Sequence, residues 1–306
     1  MTGGFPRLSI RFVALSALAA WSLASSGSSA QRAEWAVIPE SPAQQLAEQR
    51  RLAAALAALQ PQRPGVVDAY VVVDALDGDP VFNREAREAG RVLANRFDAA
   101  GRTIVLADDE GTSKADAPGS PETLALALAR VAELMDRNED VLILYSTSHG
   151  EPDQGLVYRD SQRGGGAISP ERLATMLGSL GVRNRLLILQ ACFSGQFVPA
   201  LKDPDTIIVT AAAADRSSFG CQAGNDWTYF GDALINHAFR QPLPLDVQLE
   251  RARALISAAE DRDGLTPSNP QVSIGSDASK WLSKLDSREP NSTSNPVGQS
   301  VLGLAK

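Results

Sequence analysis

Two short apolar segments, each leading into a polar motif, constrain the fold of this chain most strongly. Val141–Tyr145 leads into Ser148-His149-Gly150, and Leu186–Leu189 leads into the hexapeptide Gln190–Gly195. Apolar segments this short are typical of strands buried on both faces, as in a parallel sheet. The carboxyl ends of such strands meet at one edge of the sheet, where open α/β folds build their sites. We therefore expect the histidine and the cysteine of these motifs to lie at the same edge.

The remaining apolar segments predict that strands alternate with helices. Further strands are expected at Val66–Val73, Thr103–Leu106 and Ile207–Val209. Helices are expected near residues 84–97, 121–135, 169–180, 229–239 and 247–260, and the glycine-rich stretch Arg163–Gly166 is expected to be a loop. Alternation of this kind gives an α/β fold with three layers, in which a mostly parallel sheet carries helices on both faces.

The chain contains two histidines and two cysteines, and one of each occupies a predicted strand end. A cysteine thiol with its usual pKa of about 8.5 is mostly neutral at pH 7, although the thiolate is the nucleophile. A neighbouring histidine can take the thiol proton and later protonate a leaving amine. Cys192 and His149 are therefore the candidate nucleophile and base. His237, the other histidine, falls within a predicted helix, where a packing role suits it better.

These motifs resemble those of the legumain family of cysteine peptidases, in which strands ending in His-Gly and Ala-Cys supply the catalytic dyad. The similarity covers Val66–Gly275, about two-thirds of the chain. It includes four motifs beyond the dyad, which are Thr210-Ala211-Ala212, Arg216–Cys221, Thr228–Asp232 and Ser268–Gln271. The resemblance implies a caspase-like fold and points to an exported member of bacterial type.

The resemblance also implies how the dyad is assisted. The negative charge of the tetrahedral intermediate would be received by the backbone N–H groups of Gly150 and Cys192. A glycine at position 150 also lets the chain leave the strand at unusual backbone angles. The family orients its histidine with an asparagine after the first strand, and Asn83 is the only amide in the comparable loop.

Legumains favour asparagine before the scissile bond, and the resemblance implies a polar pocket that carries both charges. Arg84, Ser218 and Asp232 occupy matching positions, whereas the acid that precedes Ala-Cys in the family is Gln190 here. One charge of the pocket is therefore missing, and cleavage after asparagine or aspartate is a hypothesis. Asp232 also has a simpler explanation, because an acid in the first turn of a helix is favoured by the helix dipole.

The N-terminus has the layout of a secretory signal. Arg7 and Arg11 precede the apolar segment Phe12–Leu23, and the small residues Ser28-Ser29-Ala30 follow. We predict a signal peptide over residues 1–30 and hence a secreted or periplasmic protein, with an uncleaved anchor as the alternative. No other segment is long and apolar enough to be predicted to cross a membrane.

Three further parts are predicted after the signal. Residues 31–63 are an alanine-rich segment with an amphipathic helix near Gln44–Leu59, for which packing, tethering and guarding of the site are the alternatives. Residues 64–285 form the caspase-like domain. The polar tail 286–306 is predicted to be disordered.

Export gives Cys221 two interpretations. In an oxidising compartment a lone pair of cysteines is ordinarily read as a disulfide, and one between Cys192 and Cys221 would silence the nucleophile. Alternatively, Cys221 is a small buried residue that fills the core.

Composition and motif content argue against several other functions. The net charge of −7 and the lack of a basic stripe argue against a nucleic-acid partner. The sequence has no Gly-x-Ser-x-Gly elbow, phosphate loop or Cys-x-x-Cys pair, and its two histidines are far apart. The proposed chemistry needs no metal or cofactor, and the expected partner is a peptide or protein substrate.

The sequence thus predicts a cysteine endopeptidase that hydrolyses peptide bonds through a thioester at Cys192. A transamidase is the first alternative, in which an amine instead of water resolves the same thioester. A catalytically inactive caspase-like binding module of the cell envelope is the second.

Overall fold

A six-stranded sheet in the order β2-β1-β3-β7-β8-β9 organises the fold. The computed structural model describes residues 1, 40–160, 164–286, 288 and 293–304, and the predicted signal peptide lies outside them from residue 2 onward. The strands are β1 Ala69–Ala75, β2 Thr103–Leu106, β3 Val141–Thr147, β4 Gly150–Glu151, β5 Gly155–Asp160, β6 Gly164–Ile168, β7 Asn184–Gln190, β8 Thr206–Thr210 and β9 Gln271–Ile274. Five strands of the large sheet pair in parallel, and β9 joins β8 antiparallel at the edge.

The helices follow the strands in alternation. They are α1 Pro42–Ala58, α2 Pro80–Arg96, α3 Pro121–Leu134, α4 Pro170–Ser179, α5 Val198–Leu201, α6 Tyr229–Gly231, α7 Leu245–Arg262 and α8 Ser279–Asp286. A 3-10 turn covers Ser194–Phe197, and α6 continues as a π-helix over Asp232–Ala238. None of the helices that the structure describes is long and apolar enough to span a membrane.

Alternate residues of each central strand enter two separate cores, because successive side chains of a strand point to opposite faces. In β3, Ile143 and Tyr145 pack in the core under α2, α7 and α8, whereas Leu142 and Leu144 pack in the core under α3 and α4. All seven residues of β3 are buried, as expected of a strand covered on both sides. The structure therefore confirms the α/β three-layer prediction.

A small antiparallel sheet, β4-β5-β6, corrects the prediction that Arg163–Gly166 is a loop. From Gly164 onward this stretch is strand β6, paired with β5, whereas Arg163 lies outside the described residues. Glycines give no apolar signal that would predict a strand. Here a side chain would obstruct the pairing, since a Cβ at Gly166 would lie 2.8 Å from the Tyr158 ring.

Two elements near the C-terminus are absent from the sequence prediction. Strand β9 has only half-buried or exposed residues, and α8 buries only Trp281 and Leu285. Helix α8 spans eight residues, fewer than the roughly eleven or more over which helical periodicity is assessed, and β9 contains only two apolar residues, Val272 and Ile274.

The C-terminal segment 293–304 differs from the predicted disordered tail. Its Leu302 is 4% exposed and belongs to the core beneath α2 and α7. The Val297 carbonyl accepts a hydrogen bond of 2.9 Å from the Trp227 indole. The polar composition that predicts disorder belongs mainly to residues 286–296, and the apolar residues that follow supply the packing.

The alanine-rich segment contains α1, close to the predicted bounds. Ser41 caps this helix, and Gln44 completes a capping box. No residue of α1 is buried, although Leu52 and Leu56 pack against the core under α3. Packing on the domain surface is thus the role that the structure describes for this helix.

Asp74 makes the free energy of unfolding depend on pH. It is fully buried in β1, and burial raises its pKa to about 7, with the Ser146 hydroxyl opposing the shift. Between its usual pKa of 3.8 and about 7, the folded state holds a proton that the unfolded state has lost. Its contribution to stability therefore falls as pH rises through this range and is constant above it.

We expect Asp74→Asn to stabilise the protein by about 1–2 kcal/mol at pH 8 and not at pH 4.5. Urea unfolding at both pH values measures this. The exposed Asp153→Asn serves as the control for an acid-to-amide change at a residue with no burial penalty. An equal effect of Asp74→Asn at both pH values would show that the buried charge is not its cause.

Candidate active site

The register of two central strands brings His149 and Cys192 to the same place. Strands β3 and β7 are parallel, and Thr147 pairs with Gln190. His149 and Cys192 each follow two residues after this pair, so both stand just past the carboxyl edge of the sheet. The backbones there are in close contact, since a Cβ at Gly150 would collide with the Cys192 carbonyl.

Cys192 is presented by a sharp turn at the end of β7. The next residue, Phe193, has the left-handed φ of 57°, uncommon for a side chain of this size. The Phe193 N–H donates to the Arg216 carbonyl at 2.7 Å, and the Gly195 N–H donates to the Ala212 carbonyl at 2.9 Å. The turn is therefore anchored on both sides and leaves the Cys192 thiol partly exposed.

Neighbouring donors favour the thiolate form of Cys192. The Cys221 thiol and the Ser218 N–H, which is 3.3 Å from Cys192 Sγ, lower the pKa of Cys192 to about 6. Burial opposes this shift, whereas Ser217 and the charge of His149 add to it. Hydrogen-bond donors and positive charge both stabilise a thiolate.

Cys221 is more than a packing residue. Both cysteines are free thiols, and Cys221 packs against the core under α2 and α7. Its hydrogen bond to Cys192, together with burial, raises the pKa of Cys221 well above the usual value. Cys221 therefore keeps its proton beside Cys192 at neutral pH.

An aspartate that the sequence analysis did not single out contacts His149. Asp79 Oδ2 lies 2.8 Å from His149 Nε2, and both side chains are partly exposed. The Phe82 ring packs edge-on against the imidazole, with the centroids 4.9 Å apart. An aspartate before a proline at a helix start is typical of a helix cap, so the sequence gives no signal that this side chain reaches a histidine.

Asn83, expected to orient the histidine, bonds to backbone groups elsewhere. Its Nδ2 donates to the Asp79 carbonyl at 3.3 Å, and its Oδ1 accepts from the Asp108 N–H at 2.7 Å. It thus ties the start of α2 to the loop after β2. The structure places Asp79, and not Asn83, beside His149.

The predicted specificity residues do not share one set of contacts. Arg84 donates to the carbonyls of Ala223 and Asn225, at 2.6 Å each, and to Glu110 at 2.8 Å. It therefore holds the loop after Cys221 to α2. Ser218 contacts Cys192 through its backbone.

Asp232 is buried and bound by the C-terminal segment. Its Oδ2 accepts from the Ser300 hydroxyl at 2.6 Å and the Val301 N–H at 2.9 Å, and its Oδ1 accepts from Asn236 at 2.8 Å. Despite burial, hydrogen bonds from His237 and these partners lower the pKa of Asp232. His237 packs beside this carboxylate, in keeping with the structural role expected for it.

Gln190 belongs to a buried polar chain that ends on Glu85, a residue the sequence analysis missed. Glu85 accepts hydrogen bonds from Tyr145 at 2.6 Å and Thr147 at 2.9 Å, and from the Thr228 backbone and hydroxyl. The Thr147 hydroxyl is also 3.0 Å from the Gln190 side-chain amide. The hydroxyl has one proton and lies between two acceptor oxygens, one of Glu85 and Oε1 of Gln190. Gln190 Oε1 also accepts from the Ser148 N–H at 3.4 Å.

This polar chain gives a reason for the glutamine at position 190. Its side chain is neutral and lies one hydroxyl away from the buried carboxyl of Glu85. An ionised glutamate there would face Glu85 across a single hydroxyl. Glu85 of α2 supplies the buried carboxyl of this region, and burial raises its pKa while its hydrogen bonds oppose the shift.

We expect Gln190→Glu to lower the free energy of unfolding by about 2–4 kcal/mol at pH 8, because it buries a second carboxylate beside Glu85. The loss should shrink at pH 5, where one carboxyl of the pair can hold a proton. Denaturant unfolding of this variant and of Gln190→Met at both pH values tests whether the added charge causes the loss of stability. Gln190→Met, which loses only the hydrogen bond, should show the same loss at both values. A pH-independent loss for both variants would contradict the explanation.

One group in the described part of the chain has the composition of a metal site. Ligand atoms of Asp77, Asp79 and His149 lie within 4.8 Å of one another. However, the Arg159 guanidinium lies 2.9 Å from Asp77 and 3.7 Å from Asp79. A cation would have to compete with this guanidinium, so the three residues fit an ion-pair network around His149 better than a metal site.

Comparison with known proteins places the chain in a family. The model of the peptidase C13 family matches residues 122–275, about half of the chain, and this span includes His149 and Cys192. No curated protein matches the chain. Among solved structures, the chain is similar to caspase-1 from Spodoptera frugiperda, with 15% identity and a TM-score of 0.44, over 71% of this chain and 93% of that one. The resemblance found in the sequence is thus confirmed, and the chain belongs to peptidase C13, the legumain family of cysteine peptidases.

Proposed function

We propose that this protein is a cysteine endopeptidase in which Cys192 and His149 form the catalytic dyad. Family membership supports a cysteine peptidase, and one observation supports the dyad. The register of β3 and β7 sets the two residues at equivalent positions past the same sheet edge. The lowered pKa of Cys192 agrees with a nucleophile that is ionised near neutral pH.

The mechanism begins when Cys192 Sγ attacks the carbonyl carbon of the scissile bond. The carbonyl electron pair moves to oxygen, and the N–H groups of Gly150 and Cys192 stabilise the resulting oxyanion. As the intermediate collapses, the C–N bond breaks and the amine leaves with a proton from His149. A thioester with Cys192 remains.

Water then completes the cycle. His149 takes a proton from the water as its oxygen attacks the thioester, the C–S bond breaks, and the free acid and the thiolate are released. An amine that attacks in place of water would give a new peptide bond. This second outcome is the transamidase alternative.

Cleavage after asparagine or aspartate is part of the proposal, and membership of the legumain family supports it. The predicted N-terminal signal supports action in a secreted or periplasmic location on a peptide or protein substrate. Neither the cleavage preference nor the location depends on which residues form the dyad.

The test is turnover of a fluorogenic peptide library by the reduced protein, with products identified by mass spectrometry. We expect cleavage after asparagine or aspartate, with a rate that rises from pH 5 to 7 as Cys192 ionises. Added hydroxylamine, which traps a thioester as a hydroxamate, distinguishes the acyl-enzyme from direct hydrolysis. A reduced, folded protein that cleaves no peptide and forms no hydroxamate would favour the binding module.

A further inference from the structure

Asp79 lies at the start of helix α2, but its side chain does not cap the helix. Helices α1, α3 and α4 begin with proline after Ser41, Ser120 and Ser169, and each serine side chain accepts a backbone N–H of the first turn. Helix α2 begins in the same way, with Pro80 after Asp79. The carboxylate of Asp79, a group that caps helices as well as serine does, makes no such bond. It lies against His149 Nε2 instead.

Two charged neighbours fix the position of this carboxylate. The Asp79 N–H donates to Asp77 Oδ1 at 3.0 Å. Arg159, on β5, binds Asp77 at 2.9 Å, and its carbonyl accepts from the Gly78 N–H at 2.9 Å. Asp77 is 1% exposed, whereas the Arg159 side chain that binds it is 40% exposed. Loop 77–79 is therefore held to β5 at both its side chains and its backbone.

We propose that Asp79 is the positioning residue for His149, a role that rests on the proposed function. Its carboxylate accepts the proton of Nε2 and thereby leaves Nδ1 to face the Cys192 thiol. It differs from a histidine-orienting amide, such as the asparagine implied by the family resemblance, because it carries a negative charge. Asp79 therefore has two effects: it orients the imidazole, and it places a negative charge against the ring.

The charges that face His149 support this second effect. Asp79 and Asp77 present two carboxylates, and Arg159 offsets one of them. Cys192 as a thiolate adds a further negative charge, to which His149 is electrostatically coupled. The Phe82 ring is apolar and shields one side of the imidazole from water. Because the charge of His149 lowers the pKa of Cys192, the groups that hold His149 in place also favour the thiolate.

The first test measures the rate at which iodoacetamide alkylates Cys192 as a function of pH, with the modified peptide quantified by mass spectrometry. We expect Asp79→Asn to move the apparent pKa for alkylation upward by about one unit, which slows the reaction about tenfold at pH 5. Asp153→Asn, the same change at an exposed turn residue, should leave the profile unchanged. A profile for Asp79→Asn that matches the wild type would overturn the proposal.

The second test needs no variant and remains decisive if Asp79→Asn does not fold. The chain has two histidines, so the imidazole nitrogens of His149 can be followed by nitrogen-15 NMR and assigned by comparison with His237→Gln. We expect the neutral ring of His149 to carry its proton on Nε2. A neutral ring with the proton on Nδ1 and a bare Nε2 would contradict the proposal.

Both measurements are independent of peptide turnover. Alkylation reports the thiolate, and NMR reports the tautomer, whether or not the protein cleaves any substrate. Failure of the proposed peptidase function would appear in the library assay. Failure of the role of Asp79 would appear in the pH profile and the tautomer.

Discussion

Cys192→Ala is expected to lower peptide hydrolysis at least a thousandfold, to the level of the uncatalysed background. The reason is that the variant has no group that can form the thioester, so the remaining oxyanion donors act on a bond that nothing attacks. His149→Ala should cause a loss of similar size, because the residues of a dyad act as a unit. Initial rates on the preferred library peptide, under reducing conditions, measure both.

His237→Gln is the matched control for His149→Ala. It changes the other histidine of the chain, which packs beside Asp232 and not at the proposed dyad, and its rate should stay within a few-fold of the wild type. Circular dichroism establishes that each variant is folded. Equal activity of folded Cys192→Ala and wild type would rule out the proposed nucleophile.

Removal of residues 293–306 is expected to lower the free energy of unfolding by about 3–5 kcal/mol. The truncated chain would deprive the Asp232 carboxylate of its donors Ser300 and Val301 and leave it only Asn236 and His237, and a buried carboxylate that loses partners is destabilising. The Trp227 indole and the Asn236 amide would lose the Val297 carbonyl as well. Urea unfolding of the full-length and truncated proteins measures the difference.

Two variants separate the contribution of the Asp232 charge from that of packing in the destabilisation caused by truncation. Ser300→Ala removes one donor from the full-length protein and should cost about 1–2 kcal/mol. Asp232→Asn in the truncated chain removes the stranded charge and should recover part of the loss. A truncated protein within 1 kcal/mol of full length would show that segment 293–304 contributes little to stability.

The sequence could predict the sheet because its central strands are short, apolar and buried on both faces. The sequence predicts strands at Val141–Tyr145 and Leu186–Leu189 although apolar and polar residues do not alternate there. The motifs that follow these strands place His149 and Cys192 at the same sheet edge. The glycine-rich β6 escapes prediction because it has no apolar pattern. Strand β9 escapes because its alternation of polar and apolar residues lasts for only four residues. Their places depend on the neighbouring strands.

The polar surroundings of the dyad were the harder part to predict. Asp79 has the sequence signature of a helix cap, yet its carboxylate contacts His149. Glu85 looks like any surface acid of a helix, although it is 0% exposed and bound by four donor groups. Both roles arise from tertiary contacts between residues 60 or more positions apart, which no local pattern encodes.

The position of β3 and β7 in the middle of the sheet affects the order in which parts of the molecule unfold. Each has a paired strand on both sides, so its amide hydrogens can exchange with solvent only when the whole domain unfolds. The loops that carry His149 and Cys192 are continuations of these strands, and their geometry persists until that global event. Segment 293–304 belongs to neither sheet and can detach first. The dyad should therefore lose its geometry in the same cooperative step as the slowest-exchanging amides, after the C-terminal segment has been released.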